Sequence, residues 1–295
     1  MNEASKLTIW VQAARPQTLP AAFVPVLVGS VLAAKHQQLN WTATLMALLC
    51  AFLIQIGTNF ANDYFDFKNG ADTDQRLGFR RATASGQVTQ NQMLTATILT
   101  MSIAFFCGLY LVWHAGWVVL AIGILCIICG ILYTGGPFPF GYNGLGDVFV
   151  FLFFGIVAVM TTYYVNALEW SIASFWASLA VGALSTNILV VNNLRDVNQD
   201  RPAGKNTLGV LFGEHVLRWE YLLMLVIALA IPPHFYFRLG YNALVLIPLV
   251  TLPLAGMLIK QIWNAPKAKL NVTLERTAQY MTLFCILFSI GILWG

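Results

Sequence analysis

The chain reads Ile-Ala-Ser-Phe-Trp-Ala-Ser-Leu-Ala-Val-Gly-Ala-Leu-Ser-Thr-Asn-Ile-Leu-Val-Val-Asn-Asn-Leu-Arg-Asp-Val-Asn-Gln-Asp from residue 172 to residue 200. Residues 172–192 contain no charged side chain, and a helix of about 20 predominantly apolar residues is long enough to cross a bilayer. Asn192, Asp196 and Asp200 follow at intervals of four, which places them on one face of a helix. The stretch predicts a membrane-spanning helix whose end carries an oxygen-rich stripe.

Apolar stretches of similar length recur along the whole chain. Of its 295 residues, 58% are hydrophobic and 9% are charged, whereas soluble domains carry about 25% charged residues. We place nine spans near residues 18–34, 41–61, 93–113, 115–134, 145–165, 172–192, 217–237, 241–260 and 278–295. Because lipid offers the backbone no hydrogen-bond partner, each span is expected to be helical. The sequence predicts an all-α integral membrane protein with a single transmembrane domain over residues 1–295.

The positive charges predict how these spans are oriented. With the N-terminus in the cytoplasm, only Lys35 and Arg238 of the 16 Lys and Arg residues lie on the outer side, as the positive-inside rule requires. The C-terminus is then outside, and the net charge of +4 reflects topology and not nucleic-acid binding. Residues 7–14 precede the first span and are expected either to lie along the membrane surface or to extend that span.

A second acidic segment, residues 62–74, follows the second span. Asn62 and Asp66 are four apart, and Gly70 lets the chain turn so that Asp72 can return toward them. An ionised carboxylate costs about 2.5 to 3.5 kcal/mol at the bilayer centre on insertion scales, so such residues usually face a cavity. The alternative is charge that merely solvates the interface. Segments 62–74 and 192–205 both end even-numbered spans, which suggests a repeated unit of four helices around a central site.

The two acidic segments suit a hard cation held together with a diphosphate. Mg²⁺ commonly binds one or two carboxylates together with phosphate oxygens, and Arg195, Arg201 and Lys205 beside the second segment are expected to bind phosphate. Magnesium and these basic residues would neutralise a leaving diphosphate while an electron-rich acceptor attacks the allylic cation. A cavity lined by Phe and Tyr would keep water out. The alternative from another functional class is a secondary transporter.

At these residues the chain resembles the UbiA superfamily of membrane prenyltransferases, which carry an Asn-x-x-x-Asp-x-x-x-Asp first motif and an Asp-x-x-x-Asp second motif. Asp196 and Asp200 match the second motif, but Gly70 stands where the first motif has its last aspartate. This departure resembles the branch that prenylates naphthoquinone precursors, which implies that Asp72 supplies the third ligand. Further similarity lies in residues 14–20, 133–147 and 192–208.

The resemblance implies a nine-helix bundle that transfers a polyprenyl group from polyprenyl diphosphate to 1,4-dihydroxy-2-naphthoate. Loss of the acceptor's carboxylate would give demethylmenaquinol, a step of menaquinone biosynthesis. The resemblance also implies Mg²⁺ as cofactor and a multi-pass position in the bacterial inner (cytoplasmic) membrane, with the active site on the cytoplasmic side. Within the superfamily, 4-hydroxybenzoate and homogentisate are the alternative acceptors.

The matched motifs also imply roles for individual residues. Metal binding is implied for Asn62, Asp63, Asp66, Asp72, Asp196 and Asp200. Catalytic roles are implied for Asp66, Asp196, Asp200, Lys205 and Tyr133, and substrate binding for Arg15, Asn62, Asn192, Arg201 and Asp147. Arg15 could instead anchor lipid headgroups, and Arg201 could pair with Asp196 or Asp200. The glycine-rich loop from Tyr133 to Asp147 is expected either to cover the acceptor, with both residues facing the cavity, or to be a plain connecting turn.

Overall fold

The structure is a computed structural model that describes residues 5–71, 78 and 81–295. The described residues form helices and no strands. In chain order the helices are α1 (Lys6–Ala14), α2 (Pro20–Lys35), α3 (Trp41–Lys68), α4 (Gln90–Ala115), α5 (Trp117–Leu132), α6 (Gly146–Ala167), α7 (Ile172–Asp200), α8 (Leu208–Phe212), α9 (Glu214–Arg238), α10 (Ala243–Asn264) and α11 (Leu270–Trp294). The predicted all-α membrane fold is confirmed.

Most of these helices are long and apolar enough to cross a membrane. Within the described residues seven meet that test, namely α3, α4, α6, α7, α9, α10 and α11, the last with the short turn from Lys267 before it. The segments Lys6–Thr18 and Pro20–Lys35 make an eighth when they are taken as one span bent by 50°. Helix α5 is apolar but has only 16 residues, fewer than the roughly 20 that a span needs. The count of nine, the orientation of the termini and the four-helix repeat stay predictions.

The N-terminal segment is a helix of its own, bent by 50° relative to α2, and whether it lies along the membrane surface or extends the first span stays a prediction. Ser5 caps α1 by accepting a hydrogen bond from the Thr8 N–H at 3.2 Å. The helix ends at Arg15, which has left-handed backbone angles with φ of 53°, and Pro16 begins a short 3₁₀ turn. Trp10 packs edge-on against Phe60 of α3 at 5.6 Å between ring centroids. The bend therefore places Arg15 between two helices, beside α3.

Helix α7 lies at the centre of the bundle and is its most buried span. Small residues on α7 allow close packing against α6: a Cβ added at Gly155 would lie 2.6 Å from the Gly182 Cα. Such small-residue contacts are typical of helix packing in membranes. Helix α6 is π-helical from Phe151 to Val157, where it meets α7. Because α7 is central, the end of the helix that bears the oxygen-rich stripe lies inside the bundle.

Five exposed tryptophans lie at helix ends opposite the acidic stripe. Trp41 begins α3, Trp113 lies near the end of α4, Trp117 begins α5, Trp170 lies between α6 and α7, and Trp294 ends α11. Tryptophan is enriched at membrane–water interfaces because its ring is apolar while its N–H is polar. These positions agree with helices that cross in alternating directions.

Candidate active site

A cavity of about 440 Å³ runs through the bundle beside α3 and α7. Its polar end is lined by Asn62, Asp66, Asn192, Asp196 and Asp200. Its apolar end is lined by residues such as Ala47, Leu111, Val119 and Leu120. Residues 47 to 66 of α3 contribute to this wall, a length of roughly 28 Å at 1.5 Å per residue. The cavity therefore fits an amphipathic ligand with an anionic head and a long apolar tail.

Asp66 collects donors from three different loops. Its carboxylate accepts hydrogen bonds from Arg81 Nη2 at 2.8 Å, from the Tyr142 hydroxyl at 2.8 Å and from Lys205 Nζ at 2.9 Å. The Asp66 side chain is 2% exposed, and a buried carboxylate needs such partners to remain ionised. Asp66 therefore holds the loops that follow α3, α5 and α7 together at the polar end of the cavity.

Lys205 and Tyr142 also contact each other. The Lys205 ammonium lies 4.8 Å from the centre of the Tyr142 ring, a distance typical of a cation–π interaction. Lys205 lines the cavity together with Arg15 and Arg81. The polar end thus presents ammonium and guanidinium groups as well as carboxylates, which is the combination that binding a diphosphate requires.

The second acidic stripe is organised by Arg195. The Arg195 Nε and Nη2 atoms donate to the two oxygens of Asp196 at 2.7 and 2.6 Å. The same Nη2 donates to Asn192 Oδ1 at 2.7 Å, and Nη1 donates to Asn271 Oδ1 of α11 at 2.7 Å. Arg195 therefore does not reach outward as a simple phosphate contact, because it fixes the oxygens of two residues in the stripe.

The loop from Tyr133 to Asp147 folds over the polar end of the cavity. Tyr133, Thr134, Gly141 and Tyr142 all line the cavity. Thr134 Oγ1 donates to Asn62 Oδ1 at 2.8 Å, which orients the Asn62 amide. The absence of a side chain at Gly141 leaves room for Tyr133, since a Cβ there would lie 3.0 Å from the Tyr133 ring. The segment thus contributes several residues to the wall at the polar end, and its role as a cover over the acceptor stays a prediction.

The structure does not bring Asp63 to the cavity. Its two carboxylate oxygens accept the backbone N–H groups of Ala82 and Thr83, both at 3.1 Å. The physical reason is helical geometry: adjacent residues point about 100° apart around the axis, so Asp63 faces away from the surface that carries Asn62 and Asp66. Asp63 instead holds the turn that presents Arg81 to Asp66.

Asp147 and Arg201 are also placed away from the cavity wall. Asp147 is buried behind Asn193, whose amide nitrogen lies 3.5 Å from both Asp147 oxygens. Asn193, and not Asp147, lines the cavity among the described residues. Arg201 is exposed at the end of α7 because the helix terminates there and turns its side chain outward. Asp72 lies outside the described residues, so its role as a third ligand stays a prediction.

The donor atoms of the cavity suit Mg²⁺ when a diphosphate supplies further ligands. No group of three or more His, Cys, Asp or Glu side chains placed to hold a metal occurs within residues 5–71, 78 and 81–295. The polar wall offers amide and carboxylate oxygens from α3 and α7, without sulfur or imidazole. Magnesium prefers such oxygens and commonly takes its remaining ligands from phosphate and water. The residues therefore fit magnesium bound with diphosphate better than an all-protein metal cage.

A family model described as the UbiA prenyltransferase family matches residues 22–294. The chain belongs to the UbiA prenyltransferase family. The 1,4-dihydroxy-2-naphthoate octaprenyltransferase of Escherichia coli (strain K12) is 36% identical over 306 residues, covering 99% of this chain and 97% of that relative. The enzyme of the same name from Mycobacterium tuberculosis is 42% identical over 220 residues, which cover 74% of this chain and 75% of that relative.

A solved UbiA structure shares the fold. A UbiA homolog from Archaeoglobus fulgidus bound to DMAPP and Mg²⁺ matches this chain with a TM-score of 0.70 and 15% sequence identity, covering 97% of this chain and 99% of that chain. At this identity the likeness concerns the fold alone. It agrees with the helical bundle described above.

The UbiA bundle also brings four residues to the site that the motifs do not single out. Arg81 and Tyr142 contact Asp66, Thr134 contacts Asn62, and Asn271 contacts Arg195. In the sequence Arg81 is one of several basic residues after the second span, and Tyr142 and Thr134 belong to a glycine-rich loop. Asn271 has no motif around it. Only the tertiary fold brings Arg81, Thr134 and Tyr142 to the cavity wall and Asn271 to Arg195 behind it.

Proposed function

We propose that this chain transfers a polyprenyl group from a polyprenyl diphosphate to 1,4-dihydroxy-2-naphthoate, with loss of the carboxylate, giving demethylmenaquinol in menaquinone biosynthesis. The observation that carries the proposal is a cavity whose polar end is lined by carboxylates, amides and basic side chains and whose other end is long and apolar. The choice of acceptor follows from the two relatives described above, both of which are named 1,4-dihydroxy-2-naphthoate octaprenyltransferase. Membership of a prenyltransferase family favours this enzyme over a secondary transporter.

The diphosphate is placed at the polar end of the cavity. Asn62 and Asp66 on α3, together with Asn192, Asp196 and Asp200 on α7, would hold Mg²⁺ there, with Asp72 as a further proposed ligand. When bound, magnesium supplies positive charge that stabilises the leaving diphosphate. Lys205, Arg81 and Arg15 line the same end, so their N–H groups are placed to bind phosphate oxygens. The isoprenyl tail extends from there along the apolar wall of α3.

With the diphosphate at the polar end and the tail along α3, the reaction takes place at the first carbon of the prenyl chain. The acceptor ring carbon that bears the carboxylate attacks the first carbon of the prenyl chain, and the carbon–oxygen bond to diphosphate breaks. The carboxylate then leaves the same ring carbon as CO₂, and the electron pair of the broken carbon–carbon bond restores the aromatic ring. Lysine and arginine side chains at the polar end stabilise the charge that develops on the leaving group. The loop over the cavity, with Tyr133 and Tyr142, keeps water from the allylic cation. Tyr133 lines the cavity, and in this proposal the acceptor meets the prenyl chain beside it.

The proposed location is the bacterial inner membrane, with the N-terminus and the active site on the cytoplasmic side. The distribution of Lys and Arg supports this orientation, since it leaves only Lys35 and Arg238 outside. Both acidic segments then open toward the compartment that supplies soluble naphthoate. The polyprenyl diphosphate and the product, which carry long apolar tails, stay in the bilayer.

An acceptor panel tests the proposal. Purified protein in nanodiscs is incubated with farnesyl diphosphate and Mg²⁺ together with 1,4-dihydroxy-2-naphthoate, 4-hydroxybenzoate or homogentisate, and products are identified by mass. We expect a prenylated product only from the naphthoate, with one CO₂ released for each prenyl group transferred. Prenylation of 4-hydroxybenzoate or homogentisate, with no prenylation of the naphthoate, would show that the naphthoate is not the acceptor. Transport of a substrate across proteoliposome membranes without any prenyl transfer would show that the protein is a transporter and not a prenyltransferase.

A further inference from the structure

Arg195 is an arginine buried inside a membrane bundle, with its side chain only 1% exposed. Its guanidinium lies beside the cavity, yet its hydrogen bonds go to protein oxygens. Asp196 receives two of them, Asn192 one and Asn271 one, at 2.6 to 2.7 Å. A guanidinium has five N–H donors, so four of the five are already used. Little capacity is left for a phosphate oxygen.

The contacts of Arg195 fix the side chains that the proposed function needs. Its Nε and Nη2 form a two-pronged bond with Asp196, which prevents the carboxylate from rotating. The same Nη2 holds the Asn192 oxygen, one turn earlier on α7. A carboxylate has about four lone-pair positions, so two bonds to Arg195 leave the others for a cation in the cavity. Arg195 thus orients Asp196 without blocking it.

Asn271 links this arrangement to the last helix. It is the second residue of α11, and its side-chain oxygen accepts from Arg195 Nη1 at 2.7 Å. The bonds of the guanidinium to Asp196 and Asn192 stay within α7. Asn271 therefore helps to keep the guanidinium of Arg195 oriented toward Asp196. Through this contact α11 supports the second motif, although α11 carries no acidic motif itself.

We propose that Arg195 is a positioning residue, supported by Asn271, that orients Asn192 and Asp196 for the magnesium–diphosphate complex. The inference rests on the proposed function, since it concerns the site where that complex would bind. It replaces the expectation that Arg195 binds phosphate directly. Outer partners of metal ligands typically contribute a factor of about 10 to 100 in metal affinity or activity, which sets the size of the expected effect.

The test measures binding of Mn²⁺ in the presence of inorganic pyrophosphate to the purified full-length protein, by electron paramagnetic resonance. Arg195→Lys keeps the charge but loses the planar fork, and Asn271→Leu removes the acceptor oxygen. We expect both to weaken Mn²⁺ binding by about tenfold or more. Asn271→Asp keeps an oxygen of similar size and is expected to bind Mn²⁺ more tightly than Asn271→Leu. Arg218→Lys is the matched control, because Arg218 pairs with Glu214 at 3.0 Å outside the cavity wall.

Kinetics distinguish positioning from direct phosphate binding. Positioning predicts that the Mg²⁺ concentration for half-maximal rate rises in Arg195→Lys and Asn271→Leu, while the KM for the acceptor stays unchanged. The inference is overturned if Asn271→Leu binds Mn²⁺ like the wild type, or if Arg195→Lys raises only the KM for prenyl diphosphate at saturating Mg²⁺. Should Arg195→Lys fail to fold, the pair Asn271→Leu and Asn271→Asp carries the test alone. Failure of the wild type to transfer prenyl groups rejects the proposed function, whereas the Mn²⁺ measurement still tests the positioning.

Discussion

The Lys205 ammonium donates a hydrogen bond to the Asp66 carboxylate across 2.9 Å, although the two residues belong to opposite halves of the chain. Asp66 lies in the last turns of α3, and Lys205 follows the end of α7. The bond closes the polar end of the cavity and places an ammonium group where a diphosphate would bind. A diphosphate offers Lys205 several new oxygens, so the ammonium is positioned to contact it as the complex forms.

Lys205→Met is expected to lower kcat/KM for the prenyl diphosphate by about 100-fold, as the loss of one charged group that stabilises a leaving anion typically does. Initial rates with farnesyl diphosphate measure it. Lys267→Met is the control, because Lys267 pairs with Glu214 at 2.7 Å away from the cavity. Wild-type kcat/KM in Lys205→Met would remove this residue from the diphosphate site.

Tyr142→Phe separates the hydroxyl of Tyr142 from its ring. The variant loses the 2.8 Å bond to Asp66 but keeps the ring under Lys205. We expect kcat/KM to fall by at least about tenfold, since a hydrogen bond to a charged group contributes about 1.5 to 3 kcal/mol. Tyr142→Leu should lose more, because the cation–π contact disappears as well. Tyr236→Phe, on the exposed surface of α9, serves as control; equal rates in Tyr142→Phe and Tyr142→Leu would show that the ring contributes nothing.

Gly155→Ala tests the close packing of α6 against α7. A Cβ at this position would lie 2.6 Å from the Gly182 Cα and 2.7 Å from the Ser178 carbonyl oxygen, both of which are backbone atoms that cannot move independently. Overpacking of this kind costs about 1 to 3 kcal/mol, so the melting temperature in detergent should fall. Gly256→Ala in α10 meets no atom within 4 Å and should leave it unchanged or slightly higher. Equal melting temperatures for the two variants would contradict the close α6–α7 contact.

Metal binding is expected to depend on diphosphate. Among the described residues no three acidic, His or Cys side chains form a cage, so a divalent ion alone has few ligands. Titration with Mn²⁺ should therefore show weak binding by itself and tight binding once pyrophosphate is added. Removal of divalent ions with EDTA should abolish prenyl transfer, and Mg²⁺ should restore it. Equally tight Mn²⁺ binding with and without pyrophosphate would contradict this picture.

The spans are predictable from the sequence because apolar length is a local property. Helix α7 begins at Ile172 and carries the acidic stripe to its end at Asp200, as expected. Asn62 and Asp66, and likewise Asn192, Asp196 and Asp200, reach one cavity because residues four apart share a helix face. The spacing within each motif therefore predicts which residues share a helix face, whereas their meeting in one cavity depends on how α3 and α7 pack.

Contacts between distant segments could not be predicted in this way. Arg81 reaches Asp66 only because Asp63, one residue along α3 from Asn62, binds the turn that carries it. The same rotation about the helix axis that places Asn62 in the cavity turns Asp63 away from it. Asn271 reaches Arg195 across 76 positions of sequence. Such roles depend on the relative placement of whole helices, which local patterns do not encode.

The most direct test of the account compares wild type with Asp66→Asn and Asp196→Asn in one assay, prenyl transfer from farnesyl diphosphate to 1,4-dihydroxy-2-naphthoate with Mg²⁺. Each substitution keeps the size of the side chain and removes its charge from one of the two helices that line the polar end. We expect the wild type to form the prenylated, decarboxylated product, and both variants to lose activity by about 100-fold or more while they remain folded in the membrane. Full activity in both variants would contradict the central claim that α3 and α7 together hold the diphosphate.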